Sequence, residues 1–192
     1  IVMGNRRFSR KRLFEVEKRG QSIDLEAAVG IKDAIASATQ HRQGQEIITE
    51  IVVDLGTSKA TVLGHGTSGR AIGTSGAVSF LTQLTVEKFG IITEIRAVVL
   101  EAPTTGDDTV ALEHVADATK VAGQDPGGAQ ICTALSAVGE DTSTLFDTHA
   151  TLGQNGTAHH LYLITGNSGA VSQFGSGKLA IYIHGFAVPA DL

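Results

Sequence analysis

The chain has 192 residues, 42% of them hydrophobic and 18% charged, with 23 Gly, three Pro, seven Phe, two Tyr and no Trp; this is the composition of one folded domain with an aliphatic core and excludes a disordered chain. The single Cys132 excludes an intrachain disulfide and any multi-cysteine zinc site, and no apolar stretch approaches the ~20 residues of a membrane span or follows the order of a secretory signal. The formal net charge of −5 hides a division, because residues 1–20 hold seven Lys/Arg and two Glu (+5) while the rest hold eight Lys/Arg and 18 Asp/Glu (−10).

Met3-Gly4-Asn5 reads as the start of the protein, with Ile1 and Val2 upstream. From Gly4 to Gly20 no strand period is visible. Arg6, Arg7, Arg10, Lys11 and Arg12 alternate with Phe8, Leu13 and Phe14, a pattern suited to an arm that becomes ordered against a partner. The arm is assigned to residues 1–21 and one β-sandwich domain to residues 22–192. Residues 22–29, SIDLEAAV, predict a short helix with Ser22 near its N-cap, stopped at Gly30.

From there the period becomes two. Residues 46–55, EIITEIVVDL, set Ile47, Thr49, Ile51, Val53 and Leu55 against Ile48, Glu50, Val52 and Asp54, and residues 34–41 precede them as a hairpin partner across a turn containing Gly44. KATVL at 59–63 predicts a short strand, and the Gly-rich 64–76 a loop unable to pack as an element. Residues 77–87 place Val78, Phe80, Thr82, Leu84 and Val86 on one side, with Leu81 breaking the other. They are expected to pair antiparallel with 91–101, which end at Pro103. Further strands are expected at 109–115 and 130–138, divided by the turn Asp125-Pro126-Gly127-Gly128, and at 158–165 and 178–188. Eight or nine strands without amphipathic helices exclude a parallel α/β sheet and predict an all-β fold, an antiparallel β-sandwich of jelly-roll type. IITEI at 47–51 and 91–95, and GxSGAVS at 73–79 and 166–172, recur without extending into a longer repeat.

Candidate chemistry is sparse. Gly175-Ser176-Gly177-Lys178 lacks the first Gly and the Ser or Thr of a phosphate-binding loop and precedes a strand. Among seven histidines, His159 and His160 point to opposite faces of one strand, so a metal would need help from elsewhere, such as His184. His41, Asp107 or Asp108, and Ser168 follow the His, Asp, Ser order of two-barrel serine proteases, and Gly166-Asn167-Ser168-Gly169 resembles their nucleophile loop. Against that, the surroundings of His41, ATQHRQG, do not resemble the family's, and Gly73-Thr74-Ser75-Gly76 repeats the Ser loop. The expectation is a non-enzymatic protein with no catalytic residues, no metal site and no cofactor. Cys132 is expected to be buried and inert.

GNRRFSRKRLFEVEKRGQSIDLEAAVGI, SATQHRQGQEIITEIVVDLGTSK, KFGIITEIRAVVLEAP and GKLAIYIHGFAVPADL resemble small virion structural proteins of tailed phages of marine bacteria, cyanophages among them. The resemblance runs from Met3 over nearly the whole chain and is weakest across 103–157. It implies a component of the virion, assembled in the host cytoplasm, with cement or decoration of the capsid as its first form and a tail or head-fibre component as the alternative. It also implies the major capsid protein or other virion proteins as partners, and a homo-oligomer with a trimer ahead of a dimer. Nucleic acid would be reached only through the arm, because the acidic body repels phosphate, and no membrane partner is expected. A carbohydrate-binding or hydrolytic surface module is the other class, and the few aromatic residues speak against it.

Overall fold

A computed structural model of the protein describes residues 20–56, 63–64, 68–105, 109–146, 149–166 and 172–188. The period-two segments form strands because alternate side chains are apolar and can be buried together on one face. In chain order they are β1 (Gln21–Ser22), β2 (Ile35–Gln43), β3 (Glu46–Asp54), β4 (Leu63–Gly64), β5 (Phe80–Gln83), β6 (Ile91–Thr104), β7 (Val110–Val115), β8 (Ala129–Leu135), β9 (Asp141–Leu145), β10 (His160–Thr165), β11 (Ser172–Gln173) and β12 (Ser176–Phe186). A six-stranded sheet has the order β1-β2-β3-β12-β6-β9, and a four-stranded sheet the order β5-β10-β7-β8. β4 and β11 pair separately.

All named pairings are antiparallel, and four of them nest: β3 with β12, β5 with β10, β6 with β9, and β7 with β8. Such nesting is one long hairpin rolled into two facing sheets, and the fold is therefore the expected jelly-roll sandwich. Its core holds Ile51, Val53, Ile95, Leu112, Leu163 and Ile181 between the sheets. Burial of these aliphatic groups, at ~25 cal/mol per Å2 of apolar surface, is the main stabilising term. Cys132 lies in this core, where burial pushes its thiol pKa up, and its S–H points at the Thr142 carbonyl. With the Thr144 hydroxyl donating to the Ile131 carbonyl, that contact joins β8 to β9 along one side of the sandwich.

Several elements differ from the sequence reading. Residues 22–29 do not form a helix. Asp24 Oδ1 accepts from the Glu26 N–H, Glu26 takes φ 55°, and Ile23 donates to the Ala38 carbonyl, extending the edge pairing begun by β1. Side-chain capture of a backbone N–H at Asp24 and burial of Leu25 and Ala28 outweigh a weak helix propensity. Residues 77–87 and 91–101 do not pair with each other. β5 lies in the four-stranded sheet and β6 in the other, and the helical turn α1 (Val86–Phe89), capped by the Thr85 hydroxyl and closed by Gly90, carries the chain across. An irregularity pairs Phe80 with Tyr162 and Thr82 with Leu161, so the expected alternation breaks: Leu81 and Leu84 enter the main core while Phe80 packs on the opposite side. β6 continues through Pro103 to Thr104.

The Gly-rich loop also packs more than expected. Ala71 and Ile72 are fully buried, and Ala71 bridges Ile164. Residues 117–124 cross the outer side of β10, where the Asp117 carbonyl accepts from the Tyr162 hydroxyl at 2.8 Å and Val121 pairs with Val78. Together these segments cover the outer face of the four-stranded sheet with a second small core of Ala71, Ala111, Tyr162 and Ile164. β9 has no clear apolar alternation and was not anticipated; it is held as the partner of β6. Of the predicted 59–63 strand, only Leu63 lies within the described residues.

Candidate functional site

The predicted partner-binding arm residues Arg6, Arg7, Phe8, Arg10, Lys11, Arg12, Leu13 and Phe14 lie outside the described residues, as do Asp107, Asp108 and Ser168. His41 is on β2, paired with Ile48 on the outer face of the six-stranded sheet. His159 and His160 do diverge. His159 meets His114 on β7, whereas His160 packs against Phe80 with the rings tilted and their centroids 4.8 Å apart. His184 is in the other sheet, 3.6 Å from Glu46, so it cannot complete a site with His159 or His160. Among the described residues, no group of three or more His, Cys, Asp or Glu is arranged to hold a metal.

One titratable cluster escaped the sequence reading. His114 and His159 bring their Nδ1 atoms to 2.7 Å, with stacked rings and Phe146 edge-on to His114. Burial, and then the neighbouring His159, lower the His114 pKa to about 4; burial also lowers those of His159 and His160. Next to His114, Glu113 faces the opposite side of β7, where burial raises its pKa and the Gly128 N–H partly offsets the shift. The pair is a neutral, hydrogen-bonded plug between sheet ends. Its members are 45 positions apart in the chain, so no local spacing signals it.

The surface most suited to a partner is the outer face of the six-stranded sheet. β12 runs between β3 and β6, placing the two IITEI segments on either side of it, with Ile47 and Ile92 both opposite Gly185. Cross-strand rows follow from the register. One runs Thr39, Glu50, Tyr182, Arg96, Ser143, and the next runs His41, Ile48, His184, Glu94, Leu145. Tyr182 donates to Glu50 at 3.1 Å, and Arg96 makes a two-pronged contact with Asp141, which holds that carboxyl below its usual range. Lys178 lies 3.6 Å from Asp54 and 4.0 Å from Glu101.

Six carboxylates (Glu46, Glu50, Asp54, Glu94, Glu101, Asp141) thus share this face with two permanent cations, Arg96 and Lys178, leaving a formal −4. Leu145 is 73% exposed, Phe186 47% and Leu100 46%, so the acidic face also carries uncovered apolar side chains. The outer face of the opposite sheet is covered by its own loops, whereas Leu145, Phe186 and Leu100 on this one are open to solvent. The face can bind a basic, apolar-anchored ligand through charge-assisted contacts. The carboxylates of β3 and β6 lie in segments the sequence marks as strands, but their assembly depends on where β12 inserts, and Asp141 joins them only through the pairing of β9 with β6.

No family model, curated protein or solved structure matches this chain.

Proposed function

We propose that the protein is a virion structural protein, a capsid-associated cement or decoration module that attaches through its basic arm and stabilises the shell without catalysing a reaction. The observation that carries this reading is the division of charge between a +5 terminal segment and a −10 remainder. A rolled, loop-braced sandwich presents a rigid surface, and repeated attachment to a symmetric lattice lets weak individual contacts sum through high effective concentration. An arm that pairs with carboxylates on neighbouring shell proteins suits that mode, and exposed pairs of this kind are screened over ~8 Å at physiological salt.

The test is binding of the purified full-length chain to capsids that lack it, followed by sedimentation across a salt series. Saturable binding in fixed stoichiometry, weakened by charge reversal of Arg6, Arg7, Arg10, Lys11 and Arg12, is the expected result. Binding that is absent, or indifferent to both salt and the reversed charges, overturns it. Dependence on packaged genome would instead assign the arm to nucleic acid on the inner side of the shell.

A further inference from the structure

We propose that residues 4–19 dock across the outer face of the six-stranded sheet of their own chain, forming an intramolecular latch that covers this face until a partner displaces it. The proposal does not depend on which assembly the protein joins.

Charge is the first argument. The face carries the formal −4 counted above, and residues 4–19 carry seven Lys/Arg against two Glu, +5. Guanidinium groups form short, two-pronged contacts with carboxylates, and five of the seven cations are Arg. A second copy of the same face would bring six more carboxylates and repel. Apolar matching is the second argument: Phe8, Leu13 and Phe14 provide anchors, and Phe186, Leu145 and Leu100 are uncovered on the face.

The path of the chain is the third. β1 is the edge strand of this sheet and pairs Gln21 with Gln40, so the backbone leaves it heading toward the row of His41, Ile48, His184, Glu94 and Leu145. Gly20, with φ 61°, gives the chain a turn at the point of departure. Sixteen extended residues reach roughly 50 Å. Five strand intervals of about 4.8 Å span only roughly 24 Å. A tether of this length holds the arm near its own face at effective concentrations in the millimolar range, so a contact of roughly millimolar affinity suffices to keep it docked. A free second copy must reach that concentration in bulk to compete.

Tyrosine emission gives a direct readout, because the chain has no Trp, Tyr162 is fully buried, and the more accessible Tyr182 sits at the centre of the face. The expected result, with dilute full-length protein, is weak acrylamide quenching at low salt that rises about twofold in roughly 0.5 M NaCl, where screening is nearly complete. Charge reversal of Arg6, Arg7, Arg10, Lys11 and Arg12 should give the high value at both salts. Equal quenching in all four conditions overturns the latch. Zero-length carbodiimide coupling identifies the contact independently: Lys11 or Lys18 should join Glu46, Glu50 or Glu94 within one chain. Coupling only to carboxylates elsewhere overturns the site. In a mixture of isotopically labelled and unlabelled protein, links found only between copies would assign the face to a neighbour's arm and overturn the intramolecular form. Because neither measurement uses capsids, its outcome is separate from that of the binding test above.

Discussion

His114 Nδ1 and His159 Nδ1 lie 2.7 Å apart, so one ring must donate and the other accept, and the contact survives only while at least one ring is neutral. His114 is nearly buried, beside Phe146.

This geometry predicts acid sensitivity. The folded pKa of His114 is depressed from 6.5 to about 4, and His159 and His160 shift the same way. The unfolded chain therefore binds more protons than the folded one between these values, and stability is full above pH ~6.5 and lost as pH falls toward 4. His114 alone accounts for on the order of 3 kcal/mol at full shift. Urea midpoints measured from pH 7 to 4 should fall, and His114→Gln should flatten the slope. An unchanged slope in that variant would show that other groups control the acid response.

Gly185 on β12 is approached closely by the last residue of α1 and the first of β6. A Cβ at this position would overlap the Phe89 carbonyl oxygen and crowd that of Ile91. Gly185→Ala should therefore destabilise by about 3 kcal/mol, the upper end of ordinary single substitutions. Gly44→Ala, with φ 65° and open space around it, should cost only about 1 kcal/mol. Thermal unfolding of both variants checks the ranking, and a Gly44 variant as damaged as the Gly185 one would contradict this packing.

Tyr162 ties the cover of the four-stranded sheet to the sheet itself through its bond to the Asp117 carbonyl. Tyr162→Phe should cost about 1 kcal/mol. Ile164→Ala, which removes apolar volume from the small outer core, should cost about 2–5 kcal/mol. Hydrogen exchange at residues 69–79 and 117–124 should accelerate in both variants before the main core is affected. Uniform acceleration over the whole chain would mean that the cover is not a separable unit.

Cys132 is 1% exposed and its thiol pKa is raised by burial, so native protein at pH 8 should react with iodoacetamide only through unfolding. The labelling rate should track denaturant concentration. Rapid labelling in buffer would show that the β8–β9 side opens readily.

The sequence by itself determined the strand character of the chain and much of the position of its strands, because alternation of apolar and polar residues is a local property that any buried sheet face imposes. Ile47, Ile51 and Val53 on β3, and Leu179, Ile181 and Ile183 on β12, could be assigned to the core from spacing alone. The hairpin at Gly44 was legible for the same reason, and the burial of Cys132 from the general tendency of a free thiol to be buried. Which strand pairs with which was not legible, since residues 77–87 and 91–101 satisfy the period of a hairpin equally well and only α1 and the core volume separate them into different sheets. The Phe80 irregularity, the buried Ala71 and the pairing of Ile23 with Ala38 beside the Asp24 turn each depend on neighbours more than 12 residues distant. The acidic face and the histidine pair were decided by the tertiary structure alone: insertion of β12 between β3 and β6, with β9 beyond β6, gathers carboxylates from three strands, and pairing of β7 with β10 brings His114 to His159.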